Sequence, residues 1–211
     1  MSVVLYDYWR SSAAYRLRIA LGLLEIPHEV VPVNLLTGEH RGPENLARNP
    51  QGLVPTLEID GRTMTQSLSI LEYLDETRRA GFLPEDPAGR QRVRALSYAI
   101  AMEIHPVCNL SVAKYAAEHS GGGVTMQGWM QQFIPRGLAG VERMLGDGMA
   151  GTFCHGDGIG MADICLVPQI YNARRWEVDL TPFPRSCEIM ANLEDLAAVR
   201  AAHPDNHKPD D

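Results

Sequence analysis

The chain opens on a short apolar run, Val3 to Tyr8, whose β-branched and aromatic residues have the make-up of a buried strand. After Trp9-Arg10-Ser11-Ser12 the period becomes helical: Leu17, Ala20, Leu21 and Leu24 share one face, with Arg16 and Arg18 off it. Pro27 follows this helix, and His28 to Val33 reads as a second strand. A β-α-β unit results, its parallel pairing supplied by the helical crossover. From Thr37 to Gln51 the chain is polar and broken by Gly38, Gly42, Pro43 and Pro50, which predicts a loop with one short helix around Glu44 to Arg48. Asp60-Gly61 then separates Thr56-Leu-Glu-Ile from Arg62-Thr-Met-Thr, the pattern of a hairpin closed by a type I′ turn. Ser67 opens a second helix to about Arg79, with Ile70, Leu71 and Leu74 inward.

The order β-α-β, loop, β-β-α predicts a thioredoxin-like α/β domain over residues 1–81. Beyond Gly81-Phe-Leu-Pro-Glu the strand signals nearly vanish. Asp86-Pro87 is a helix start, with an N-cap side chain and proline at the first helical position. Arg90 to His119 has helical period with a break or kink at Pro106, and Gly121-Gly-Gly is a loop. Ile134, Leu138, Val141 and Leu145 form a stripe, Ala162 to Arg174 makes another helix, and Trp129, Met130 and Phe133 read as core or interface packing. An all-α domain over residues 86–211 is the expectation, with the tail beyond His203-Pro204 loose.

At 211 residues, 45% hydrophobic and 21% charged, the chain is long enough to bury a sizeable core. Its formal charge is −7, and both parts are acidic: cut after Glu85, the first holds 8 basic and 11 acidic residues, the second 11 and 15. No basic module for nucleic acid is expected, nor a signal peptide, nor a membrane span. Cys108, Cys154, Cys165 and Cys187 are scattered without a C-x-x-C pair, which argues against a disulfide scaffold or a metal site. Cys108 and Cys165 read as small buried hydrophobes. A cytoplasmic location follows as the default.

Ser11-Ser12 falls between the first strand and the first helix, where free N–H groups and the helix dipole favour an anion. Taken alone, the pair reads first as a helix cap, and Arg10 beside it as an ordinary solvated cation.

The wider context points further. Tyr8-Trp-Arg-Ser-Ser-Ala-Ala-Tyr-Arg-Leu-Arg-Ile-Ala-Leu21 resembles the active-site segment of zeta-class glutathione transferases, the class that includes maleylacetoacetate isomerase. Asn49-Pro-Gln-Gly-Leu-Val-Pro-Thr-Leu57, Gln66-Ser67, Glu103-Ile-His-Pro-Val-Cys-Asn-Leu-Ser-Val112, Gly160-Met-Ala-Asp-Ile-Cys-Leu-Val-Pro-Gln169 and Tyr171-Asn-Ala-Arg-Arg-Trp-Glu-Val-Asp-Leu180 are similar to further blocks of that class, in family order across nearly the whole chain. The resemblance implies a glutathione transferase fold with glutathione as cofactor. Ser11, with Ser12 and Arg10, is then catalytic. Ser11, His40, Gln51, Val54 with a cis Pro55, Gln66, Ser67 and His105 hold glutathione, and Arg10 and Arg175 hold a small anionic maleyl or cis-enone substrate. Arg174-Arg175 is otherwise a solvated helix end. A homodimer is also implied.

Two departures stand out. The class commonly carries Ser-Ser-Cys, and here Ala13 replaces the cysteine, so glutathione must bring the reactive sulfur. Gly160 stands where a hydroxyl residue usually pairs with Asp163, so half of a reciprocal cap is lost and the helix start is expected to be less firmly fixed. The implied reaction is reversible addition of a thiolate to a cis C=C bond, converting maleylacetoacetate to fumarylacetoacetate. Three alternatives stand beside it: maleylpyruvate as substrate, a transferase that conjugates or dehalogenates small electrophilic acids, and a noncatalytic binding module.

Overall fold

The computed structural model describes residues 2–209. Two compact units divide them: one runs to Ala80 and resumes at Asp195, and the other spans Gly81–Glu194. The first contains β1 (Val4–Asp7), α1 (Ser12–Leu23), β2 (Glu29–Pro32), α2 (Pro43–Arg48), β3 (Thr56–Ile59), β4 (Arg62–Thr65) and α3 (Ser67–Arg78). Its sheet has the order β2-β1-β3-β4. β1 pairs parallel with β2 and antiparallel with β3, and β3 pairs antiparallel with β4. Asp60 and Gly61 both have positive φ, 54° and 70°, as the type I′ turn requires. Leu5, Leu17, Leu21, Leu57, Ile70, Leu71 and Leu74 form the core beneath the sheet, essentially without exposure.

α1 does not present a charged face. Arg16 and Arg18, expected off the apolar side, are 3% and 2% exposed. Each is buried because it has a polar partner elsewhere in the chain. Arg18 Nη1 forms an ion pair with Asp7, Nη2 donates to the Trp9 carbonyl at 2.9 Å, and Nε donates to the Ala202 carbonyl at 3.1 Å. Arg16 Nη1 donates to Ser67 Oγ at 3.1 Å.

The second unit is helical: α4 (Pro87–Tyr98), α5 (His105–Val107), α6 (Leu110–His119), α7 (Met126–Leu145), α8 (Met161–Arg175) and α9 (Pro184–Glu194). Asp86 caps α4 through a 2.7 Å bond from Gly89 N–H. The break expected at Pro106 takes the form of a π-helical stretch over Ala99–Ile104 followed by the short α5, and Asn109 caps a fresh helix. Ile134, Leu138, Val141 and Leu145 are buried as one stripe, and Met130 with them. Trp129 is part-exposed, donates to the Val107 carbonyl at 2.9 Å and packs on Phe133 with ring centres 4.4 Å apart.

The start of α8 is firmer than the missing hydroxyl at Gly160 suggests. Asp163 Oδ2 accepts from Gly160 N–H and Oδ1 from Cys154 N–H, both at 2.8 Å, and Met161 N–H donates to the Phe82 carbonyl at 2.8 Å. One buried carboxylate thus ties two segments together. Burial pushes this carboxyl above its usual range, opposed by the two N–H donors.

The C-terminal segment differs from expectation in two ways. Residues 195 onward, expected within the helical domain, belong with the first unit. There α10 (Ala197–Ala201) packs on α1, with Ala198 close enough to Gly22 that a Cβ at residue 22 would stand 3.3 Å from it. The tail is also not loose: Pro204–His207 forms a 3₁₀ turn, with Asn206 Nδ2 donating to the Arg200 carbonyl at 2.9 Å and His207 Nε2 3.1 Å from the Ala201 carbonyl. Asp210 and Asp211 lie outside the described residues.

Candidate active site

Strand register gathers the predicted site of the first unit at one end of the sheet. Tyr6 pairs with Thr56, and Thr56 with Thr65. The exit of β1 toward Ser11, the entry to β3 after Val54-Pro55 and the exit of β4 into Gln66-Ser67 are therefore neighbours.

Ser11 is the N-cap of α1, with its Oγ accepting from Ala14 N–H at 3.2 Å. An accepting hydroxyl keeps its own proton to donate. Capping and anion binding are thus compatible in the same side chain. Ser12 is the first residue of the helix and part-exposed, as is Ala13. Arg10 lies 4.4 Å over the Trp9 ring, and its Nη2 is 3.4 Å from the Tyr8 hydroxyl. The 8–11 turn is closed by Ser11 N–H to the Tyr8 carbonyl at 2.7 Å.

The Val54-Pro55 bond is cis. Its approach is held by two buried asparagines that the sequence reading missed: Asn45 and Asn49 donate to the Leu53 carbonyl at 3.4 and 3.0 Å. Their signal was available, since asparagine in a Gly/Pro-rich loop commonly bonds nearby backbone.

Gln66 is the N-cap of α3 with φ 69° and makes no side-chain cap bond, so Ser67 is the first helical residue and not the cap. The N–H groups of the first turn are left for an anion. Gln66 Nε2 donates to Gln51 Oε1 at 2.7 Å, bringing two of the predicted glutathione ligands into direct contact at the surface. His40 lies in the 3₁₀ turn Glu39–Arg41; its Nδ1 is buried without a hydrogen-bond partner. Burial, and secondarily the Arg41 charge, lowers its pKa.

His105 and Arg175 belong to the second unit. His105 opens α5 and is part-exposed; Arg175 closes α8, its guanidinium 4.9 Å over the Trp176 ring. Arg174 is the solvated member of the pair, bonded to Glu194 with both side chains nearly half exposed. Among the described residues, no cluster of histidine, cysteine, aspartate or glutamate is arranged to hold a metal, and no helix is long and apolar enough to cross a membrane.

Residues 5–81 match the family model of the glutathione S-transferase N-terminal domain. A maleylacetoacetate isomerase of Rhizobium meliloti (strain 1021) is 59% identical over 208 residues, 98% of each chain. The chain belongs to the zeta-class glutathione transferase family. Within that class, a holo maleylpyruvate isomerase structure is 38% identical with a TM-score of 0.92, covering 98% of this chain and 99% of that one. The maleylacetoacetate isomerase of Anaeromyxobacter dehalogenans 2CP-1 is 42% identical with a TM-score of 0.87, covering 99% and 97%. Its structures hold glutathione in the active site and, separately, dicarboxyethyl glutathione with citrate. The thioredoxin-like unit and helical unit of this chain are those of the glutathione transferase fold, as the sequence predicts.

Proposed function

We propose that this protein is a glutathione-dependent cis–trans isomerase whose substrate is maleylacetoacetate. The convergence of Ser11, the cis Val54-Pro55 entry and the uncapped start of α3 at one end of the sheet carries the reading. These residues fit a tripeptide. The orphan N–H groups of α3 with Gln66 and Ser67 suit the γ-glutamyl carboxylate, the Val54 backbone suits the cysteinyl amide, and His40 and Gln51 suit the glycyl end. The resemblance to the zeta class assigns His105 to the same ligand.

Glutathione, when bound, supplies the sulfur anion that adds to the cis double bond and departs after rotation about the resulting single bond. The chain's own task is to hold that sulfur ionised. A free thiol of pKa ~8.5 is only a few per cent ionised at neutral pH, and lowering it by ~2 units takes about 2.7 kcal/mol. The N-terminus of α1, worth up to ~2 kcal/mol when partly buried, and one charge-assisted hydrogen bond from Ser11, worth about 1.5–3, suffice together. Ser12 adds an N–H or hydroxyl of the same turn. Arg10 and Arg175 bind the substrate carboxylates, for which a guanidinium fork is well shaped. Ala13 supplies no sulfur, so nothing in this turn competes for the electrophile.

Relatives named for both substrates leave maleylpyruvate as the second reading, supported by the structural overlap of 0.92. The 59% identical relative favours maleylacetoacetate. We assign the protein to the cytoplasm and to a homodimer, in keeping with its class. The decisive experiment supplies maleylacetone or maleylpyruvate with trace glutathione and follows substrate and free thiol together. Many turnovers at constant thiol establish isomerisation, and the faster substrate identifies itself. Thiol loss equal to substrate loss makes the protein a conjugating transferase, and no reaction makes it a binding module.

A further inference from the structure

Arg16 stands on α1 at 3% exposure, yet no established role of the site uses it. Its Nη1 donates to Ser67 Oγ at 3.1 Å, across 51 positions of sequence. Ser67 is itself 5% exposed and is the first residue of α3. A guanidinium donates and never accepts, so the serine oxygen meets Arg16 with a lone pair. Its own proton is thereby released for a different acceptor. Behind it sits a permanent positive charge, since arginine does not deprotonate in proteins. In front of it are the first-turn N–H groups of α3, without a side-chain cap. Gln66, in the left-handed region at φ 69°, sets the direction from which the chain enters.

We propose that Arg16 is a positioning residue for glutathione: through Ser67 it fixes a donor hydroxyl and a positive potential on the α-carboxylate of the γ-glutamyl group. The inference rests on Gln66-Ser67 being the γ-glutamyl site. Arg16 acts through the serine, because its guanidinium is buried behind that hydroxyl.

The test compares two peptides by calorimetry: glutathione, and 4-aminobutyryl-cysteinylglycine, which lacks only the α-carboxylate. Arg16→Met weakens glutathione about 10- to 100-fold, the loss of one charge-assisted contact, while the truncated peptide binds within twofold of the parent value. In a double-mutant cycle, Arg16→Met adds less than about threefold to the loss already caused by Ser67→Ala, since the two act as one unit. If Arg16→Met does not fold, Arg16→Gln keeps a polar donor of smaller size and removes the charge; the same selective loss is expected. Equal weakening of both peptides, or losses from Arg16 and Ser67 variants that multiply, would reduce Arg16 to a packing residue and overturn the proposal. Equal affinity of the parent protein for the two peptides would instead sink the γ-glutamyl assignment, and the role of Arg16 with it.

Discussion

The Arg18 guanidinium pairs with the buried Asp7 carboxylate and, from its other arm, donates to the Trp9 carbonyl at 2.9 Å, two residues before Ser11. Both side chains are almost wholly removed from solvent. The turn that carries the candidate catalytic serine is therefore held from inside the first unit by a charge on the following helix.

Removing one partner of a buried pair leaves the other uncompensated and costs about 3–5 kcal/mol. Arg18→Met is expected to lower the unfolding free energy by about that amount, read from the urea midpoint at unchanged slope. A loss below about 1 kcal/mol would show that the turn is held by other means.

Ser11→Ala removes a cap and a donor at once. The cap costs about 1 kcal/mol of stability. The lost donor slows kcat/KM about 10- to 100-fold at pH 7. That deficit shrinks above pH ~9, where the thiol ionises without help. A pH–rate profile with an equal deficit at both ends would separate Ser11 from thiolate formation.

Asp147 accepts two hydrogen bonds from Arg92, at 2.6 and 2.8 Å, and one from Met149 N–H at 3.0 Å. Chiefly through Arg92, its pKa is lowered from 3.8 to about 2. A depressed carboxylate stabilises the fold above pH ~4, and that contribution fades as pH falls toward 2. The group is 42% exposed, so solvent limits the effect to about 1 kcal/mol. Asp147→Asn should lose stability at pH 6 but match the parent near pH 2; parallel curves would refute the linkage.

The described thiols are predicted to be inert. Burial pushes Cys108 to about 11 and Cys154 well above its usual value, and Cys165 has no exposure. Cys187 is part-exposed, raised mainly by burial, with its Sγ 3.6 Å from the Leu180 carbonyl. Iodoacetamide at pH 8 should label Cys187 first and slowly, as peptide mapping would show. Early labelling of Cys108 would mean that the start of α6 opens far more readily than its packing implies.

The parts legible in the sequence are those whose cause is local. Asp60-Gly61 names its own turn, Asp86-Pro87 its own helix start, and the stripe from Ile134 to Leu145 its own buried face. Arg16 and Arg18 defeated the same reasoning because patterning assigns a cation to solvent unless its partner is known. Those partners, Ser67 and Ala202 among them, lie 51 and 184 positions away. A cue was nonetheless present: two arginines in an otherwise uncharged twelve-residue helix with no acidic residue one turn away to neutralise them. The tail escaped for a related reason. Its composition is that of a free end, and the carbonyls of Arg200 and Ala201 at the end of α10 give it something to bind.

Because Arg18 completes its bonding at the Ala202 carbonyl, the first unit is not finished by the first eighty residues. Arg18 of helix α1 precedes by 184 positions the residue whose carbonyl satisfies it, so during synthesis Arg18 lacks that acceptor until Ala202 has been made. A chain cut near residue 194 would lose α10 and the 3₁₀ turn after it, and with them the closing piece of a unit whose other elements all precede residue 81.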